Sequence, residues 1–358
     1  MKLLFMNSAR TWGGTEKWTK LASETIRKDR EHETFLAYRR DTIGRRFSMQ
    51  KFRLPCTSHI DLYTLFRLVL IIRREKIDVI IPTKRKDYLI AGIAARFCGI
   101  ACILRLGIER RLRVPFFHRL IYHILPHGII VNADKIRQSL LLSPFMKRER
   151  IKVIHNGVDT LNIDMLARVP VQKPFQWLVV SAGILTDRKG FDFLLRGFAM
   201  FARNHPSADP GLVIMGEGPK KEELRKLAEE LGIGKRTVFT GFIENPYPCM
   251  AAADVIAMTS QNEGIANALL EGMYLGNVPV STFAGGSEEL VRNGRNGFLV
   301  EFGNTEKLAE IFHELFENRE CRKNMASAAR ETILSSYSLD TMRQEILDFC
   351  TTIIESER

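Results

Sequence analysis

Short apolar runs alternate along this chain with longer segments in which apolar side chains recur every three or four residues. The first run, Met1–Met6, reads as a buried strand, and the turn Asn7–Trp18, carrying Gly13 and Gly14, leads into a helical pattern that continues through Arg30. Further strands are predicted at 34–38, 77–82, 101–106 and 128–132, with helices at 62–75, 88–97 and 115–125. Strands that alternate with helices in this way build a parallel sheet wrapped by helices. A strand at Ile151–Ile154 closes the series.

The alternation starts again at Trp177. Strands are expected at 178–183, 212–216, 237–240, 255–260 and 278–282, helices at 191–204, 220–231 and 267–275, and an almost wholly helical tail from Thr305 to Glu357. Between the two series, Leu161 to Pro174 shows weak periodicity and contains two prolines, which is the composition of a linker. The expected architecture is α/β, with two doubly wound domains at 1–160 and 175–337, a linker at 161–174 and a final helix at 338–358 that packs back toward the first domain.

Charge divides the halves more sharply than hydropathy does. Residues 1–160 carry 32 Lys and Arg against 14 Asp and Glu, and the remainder 21 against 27, so a total of +12 conceals a strongly basic first half and a mildly acidic second. Such polarity points to an anionic partner contacted by the first half, and with no RNA-binding aromatic motif, zinc finger or helix-turn-helix signature, a membrane surface or acidic acceptor is preferred to nucleic acid. Two arginine-rich apolar segments, Leu62–Arg74 and Arg110–Tyr122, could lie at a lipid interface. For the first the reading is packing on the sheet with a basic outer face; for the second both readings stay open. The six cysteines are scattered and complete no metal site, and no signal peptide or uncharged spanning run is seen, so a reducing cytoplasmic setting is expected, peripheral at the inner face of the cell membrane.

The candidate chemistry centres on Glu263–Glu271. It follows a strand and opens a helix, placing Glu263 in the loop and Asn267 and Glu271 four residues apart on one helix face. A strand's carboxyl end feeding a helix's amino end is where open α/β sheets bind ligands, and free backbone N–H groups there suit phosphate. Carboxylates beside them can hold sugar hydroxyls. The Gly13-Gly14 turn is a weaker signal of the same kind, because it has neither the glycine spacing of a dinucleotide site nor the Lys-Ser/Thr of a triphosphate loop.

Six separated strings coincide with one family: Gly13-Gly14-Thr15-Glu16, His155-Asn156-Gly157-Val158-Asp159, Lys189-Gly190-Phe191-Asp192, Gly216-Glu217-Gly218-Pro219, Glu263–Glu271, and Gly285-Gly286 leading to Glu289-Leu290-Val291. With these the chain resembles the retaining glycosyltransferases of family 4 (glycosyl transferases group 1), whose GT-B fold has two Rossmann-like domains facing a central cleft. The resemblance implies a nucleoside diphosphate sugar as donor, a UDP-sugar first, held mainly by the second domain, and an acceptor held by the first. It implies that Glu263 contacts the transferred sugar, that the backbone of Gly264, Ile265, Ala266 and Asn267 approaches sugar or phosphate, and that Glu271 holds the ribose. Lys189 would neutralise the diphosphate, with Gly13, Gly14 and Gly183 also on the donor. No cofactor and no metal are implied, and no Asp-x-Asp pair appears.

Two departures from the pattern matter. The family's arginine five residues before the lysine is Ile184 here, which leaves Arg188 as the candidate replacement. The histidine usual after a first-domain strand is missing at Ile103–Arg110, so Glu16, Arg105, Glu109, Arg110 and His118 are the candidates on the acceptor side. The expected activity is transfer of a sugar to a membrane-associated glycan or glycolipid, of the lipopolysaccharide core or polyprenyl-linked type. A soluble transferase acting on a small sugar or sugar phosphate, and a non-catalytic nucleotide-sugar-binding protein, are the alternatives.

Overall fold

A computed structural model describes residues 1–110, 112, 115–205 and 209–356. The chain divides into two units, the first made of Met1–Gly157 with the segment from Leu339 onward, the second of Val158–Ser338.

In the first unit seven strands form one sheet: β1 (Lys2–Asn7), β2 (Glu33–Tyr38), β3 (Gln50–Arg53), β4 (Val79–Pro82), β5 (Ala101–Leu106), β6 (Gly128–Val131) and β7 (Ile151–Val153). Their order is β3-β2-β1-β4-β5-β6-β7, and every pair is parallel. The helices between them are α1 (Gly14–Arg27), α2 (Asp41–Gly44), α3 (Leu62–Glu75), α4 (Arg85–Cys98), α5 (Pro115–Arg119) and α6 (Asp134–Leu141). Strands buried on both faces explain the unbroken apolar runs, with Leu3, Leu4, Phe5 and Met6 of β1 inaccessible to solvent.

The order reverses between β1 and β4, so the loops leaving these two strands diverge and open a crevice at their carboxyl ends. The segment expected as one helix at 115–125 is α5 followed by a wider π-helical turn at Leu120–Ile124. Of the Arg110–Tyr122 segment, Arg111, Arg113 and Val114 lie outside the described residues.

The second unit begins with α7 (Thr160–Ala167), so the segment read as a linker is helical in its first part, with Asp159 capping it by accepting from Asn162 N at 3.3 Å. Six parallel strands follow: β8 (Trp177–Ala182), β9 (Pro210–Met215), β10 (Thr237–Gly241), β11 (Val255–Met258), β12 (Val278–Thr282) and β13 (Phe298–Val300), in the order β10-β9-β8-β11-β12-β13. Between and after them run α8 (Phe191–Arg203), α9 (Lys221–Glu230), α10 (Tyr247–Ala251), α11 (Asn267–Tyr274), α12 (Ser287–Leu290), α13 (Thr305–Glu317) and α14 (Arg319–Ser336). The reversal falls between β8 and β11. An aromatic core of Trp177, Phe198, Phe201 and Phe312 fastens α8 and α13 to the sheet.

The last helix, α15 (Leu339–Ser356), belongs to the first unit. Its Met342, Ile346, Phe349, Cys350 and Ile353 share a core with Phe5, Trp18 and Ile103, and Phe349 packs where Gly128 leaves room. Arg343 adds an ion pair to Asp29 at 3.3 Å. The ends of the second unit meet, since Val158 N donates to Tyr337 O at 2.8 Å and Val158 bridges Ser338.

Candidate active site

The second unit's crevice is built from the two loops that leave β8 and β11. After β8 the chain makes a single tight turn, Asp187–Lys189, closed by Gly190 at φ +62°. A side chain at Gly190 would collide with the Thr259 carbonyl oxygen, and the positive φ is itself unfavourable for other residues. This glycine therefore sets how closely the two loops approach. Gln261 N donates to Arg188 O at 2.9 Å, and Thr259 Oγ1 donates to Gly190 O at 2.9 Å, tying them together.

Into this seam the turn delivers two cations. Lys189 Nζ lies 2.7 Å and Arg188 Nη1 2.8 Å from the same oxygen, Oε2 of Glu263. Arg188 also donates to the carbonyl of Asn262. Burial alone would raise the Glu263 pKa, but the charges and hydrogen bonds of Lys189 and Arg188 outweigh it and hold the carboxyl below its ordinary value. That favours the carboxylate, which orients both cations. Arg188, which the sequence left undecided, faces the same carboxylate as its neighbour because the turn is tight and both side chains are long.

Gly285, at φ +59°, leaves no room for a side chain against the carbonyl of Glu263. The following Gly286 N donates to Gly264 O at 3.2 Å, so the Gly285-Gly286 turn braces the Glu263 loop from behind. Ala266 then caps α11, Ile265 and Glu271 are buried, and Asn267 opens the helix with its amino end toward the loop. Gly183 directly follows β8, its N donating to Met215 O at 2.9 Å, and the Lys189 side chain lies across it. Ile184 is exposed and supplies no charge. Lys220 is tied to Asp187 at 3.0 Å and to Glu223 at 2.7 Å.

Two polar atoms here were not anticipated. Ser260 Oγ and Asn262 Oδ1 are buried without a hydrogen-bond partner among the described residues. Buried polar groups are rarely left so, which makes both candidates for ligand contact. The signal was available in the polar run Thr259-Ser260-Gln261-Asn262 directly after an apolar strand.

The first unit's crevice is organised differently. Gly13, extended at φ −166°, caps α1, and Gly14 opens it. Glu16 is 2 % exposed, paired with Lys84 and accepting from Asn7 Nδ2 at 3.2 Å. Asn7 also reaches Thr83 Oγ1 at 2.9 Å, joining β1 to the loop after β4. Arg105 is 3 % exposed, with its guanidinium 4.6 Å from the Trp18 ring centre and Nη2 3.1 Å from Asn156 Oδ1. Burial lowers its pKa to about 10, although Tyr88 and Glu16 act in the other direction. Glu16 thus spends its carboxylate on internal partners, whereas Arg105 Nε is buried without a hydrogen-bond partner among the described residues.

Asp87 was missed by the sequence reading. It is fully buried at the start of α4, accepts from Ser8 N at 2.9 Å, and is pushed by that burial to a pKa of about 6. His118 is half-buried, beside Tyr122 with ring centres 5.8 Å apart, and burial together with Arg85 and Arg110 lowers its pKa. Glu109 and Arg110 follow β5 in the same unit, half-buried, and the Arg110 carbonyl accepts from Ser139 Oγ at 3.2 Å. Among the described residues one trio could hold a metal ion, His205, His313 and Glu317, and it includes none of the residues above.

Residues 12–161 match the family described as Glycosyltransferase Family 4, and residues 167–332 match Glycosyl transferases group 1. The chain is 28 % identical over 278 residues to the lipopolysaccharide core biosynthesis glycosyltransferase LpsE of Rhizobium meliloti, covering 77 % of this chain and 76 % of that protein. It is also 28 % identical over 286 residues to the GDP-mannose-dependent alpha-(1-6)-phosphatidylinositol monomannoside mannosyltransferase of Mycobacterium tuberculosis, covering 72 % and 74 %. The crystal structure of Anabaena Alr3699/HepE in complex with UDP and glucose superposes with a TM-score of 0.85 at 21 % identity, over 98 % of this chain and all of that one. The chain is a member of the family 4, group 1 glycosyltransferases, with the two Rossmann-like domains of the GT-B fold.

Proposed function

We propose that this glycosyltransferase moves a sugar from a nucleoside diphosphate sugar, a UDP-sugar in the first instance, to a glycan or glycolipid held at a membrane surface, with retention of anomeric configuration and without a metal ion or other cofactor. The observation that carries the donor half is the meeting of Lys189 and Arg188 on one oxygen of Glu263 at the switch point of the second sheet. Leaving of the diphosphate builds negative charge on phosphate oxygens, and two cations already fixed there stabilise that charge without reorganising. A lysine and an arginine so placed supply the charge that a divalent ion provides elsewhere. Glu263 has a second part, to face the sugar's hydroxyls, and Glu271 to hold the ribose from inside α11.

For the acceptor, support comes from the basic first half and from relatives whose names specify lipopolysaccharide core biosynthesis and a phosphatidylinositol monomannoside. On the strength of that basic half we place the enzyme peripherally, on the cytoplasmic side of the cell membrane. No helix among the described residues is long and apolar enough to cross a membrane. The GDP-mannose-dependent relative makes a GDP-sugar the second donor to try.

The test is a panel of UDP-, GDP- and ADP-sugars followed by nucleotide release, with and without a lipid-linked glycan acceptor. Acceptor-dependent release from one donor is expected, unchanged by a chelator, with the product anomer by NMR matching the donor. Release restored only by added divalent metal would sink the metal-free reading, and an inverted product the retaining one.

A further inference from the structure

We propose that the outward face of α3, continued onto the edge of α4, docks on an anionic lipid bilayer. This rests on the reading of a membrane-held acceptor and names the surface that would bring the enzyme to it.

α3 buries one side through Thr64, Leu68, Ile71 and Ile72. The opposite side is not the polar face of a helix that merely covers a sheet. Leu62 (73 % exposed), Phe66 (61 %) and Leu70 stand in the open, and with Arg73 they recur every three or four residues. At about 100° per residue they lie within about 80° of one another on the helix surface. Tyr63 flanks this stripe, and Arg67 reaches its hydroxyl at 3.2 Å. At the far end the Arg73 guanidinium sits 5.8 Å from the ring centre of Phe97, which is 72 % exposed on α4, with Ile93 one turn before it. The apolar stripe therefore runs from one helix onto the next.

Its charge has one sign. Arg73 lies within the stripe and Arg67 and Arg74 rim it, while the two acids at the ends of the helix, Asp61 and Glu75, are occupied. Asp61 caps α3 by accepting from Thr64 N at 2.9 Å and also takes Thr57 N at 2.8 Å, and Glu75 accepts from Arg74 Nε at 2.7 Å and Gln50 at 3.2 Å. Large apolar side chains ringed by arginine, with no unengaged carboxylate on the face, complement the headgroup and acyl boundary of an anionic bilayer. A protein partner of matching shape would need acids to meet these arginines and an apolar groove for Leu62, Phe66 and Leu70; the lipid interface offers both at once. The reading of Leu62–Arg74 as packing with a basic outer face holds for Leu68, Ile71 and Ile72, which are buried, while the outer face also exposes Leu62, Tyr63, Phe66 and Leu70.

The full-length protein is floated with vesicles of phosphatidylcholine plus phosphatidylglycerol, and with phosphatidylcholine alone. Binding to the anionic vesicles is expected. The Phe66→Asp/Leu70→Asp variant should lose it by about tenfold or more, and Arg67→Glu/Arg73→Glu should remove the preference for anionic lipid. Leu334→Asp, an equally exposed leucine in α14 of the second unit, should bind as the unaltered protein does. Circular dichroism and nucleotide release from the donor, measured on each variant, report whether it has folded. Wild-type protein that ignores anionic vesicles, or a folded Phe66→Asp/Leu70→Asp variant that binds them within about twofold of wild type, would overturn the proposal. So would light scattering that finds a dimer which this variant converts to monomers, since a second copy would then cover the face. Vesicle binding without turnover of any donor would instead defeat the transferase reading and leave the docking face standing.

Discussion

Both units place charged residues at the carboxyl ends of the two strands where their sheet reverses, and they use that charge in opposite ways. In the second unit Lys189, Arg188 and Glu263 stand in a seam that solvent reaches, their backbone fixed by two positive-φ glycines. In the first, Glu16, Asp87 and Arg105 are buried beside Asn7, Thr83 and Trp18 and engage chiefly neighbours within the unit. The same topological position thus yields a charged surface in one case and a buried brace in the other. In the brace, Asn7, Ser8, Thr83 and Asp87 fix the strand ends from which the Gly13-Gly14 turn departs.

The largest effect expected from breaking this contrast is in the brace. Arg105→Ala leaves Glu16 with one cation fewer and removes the Arg105 hydrogen bond to Asn156, and removing one member of a buried charged cluster costs on the order of 3–5 kcal/mol. Urea unfolding should show that loss; a change under about 1 kcal/mol would mean the network is not holding the crevice together. Lys189→Ala should act on the other region, cutting donor turnover by about 10²–10³-fold while leaving the unfolding midpoint nearly unchanged. Equal losses of stability in both variants would erase the distinction between site and brace.

Next comes Asp87→Asn. Because burial lifts the Asp87 pKa from 3.8 to about 6, the folded chain keeps a proton that the unfolded chain releases in that window. Stability from this group is full below about pH 4, falls as pH rises toward about 6, and is level above, a total near 3 kcal/mol. The Asn variant lacks that fall, so its stability relative to the parent should climb between about pH 4 and 7; parallel pH curves would show that the carboxyl titrates normally. The smallest effect expected is from Arg188→Ala, about tenfold in turnover, because Lys189 remains on Glu263. If it equals the Lys189→Ala loss, the two cations act as one unit.

The sequence made some of this legible for definite reasons. α3 was bounded correctly because Asp61 is a strong cap and the buried positions repeat every three to four residues. β5 and β12 were bounded correctly because each opens on an apolar run and is buried along its whole length. β3 was missed because Gln50–Arg53 is a mostly exposed edge strand with polar composition, and β13 because it is only three residues long. Arg188 and Lys189 fell within one turn and Glu263 to Asn267 within one loop and the start of α11, where spacing along the chain translates directly into proximity. The brace did not, since Asn7, the Thr83–Asp87 segment and Asn156 are distant in sequence and none carries a pattern that marks a polar residue as buried.

The return of α15 to the first unit has a consequence for the order in which the molecule can be made. The ribosome releases the first seven strands well before the helix that completes their core, and the intervening second unit is about 180 residues long. At roughly 5–20 residues per second the unfinished sheet waits for on the order of ten seconds or more, its Phe5, Trp18 and Ile103 side uncovered. The second unit need not wait, since Val158 and Ser338 clasp each other and close it as a self-contained insert. The unit that begins last is positioned to finish first, and the eighteen residues of α15 act as the latch on the first unit.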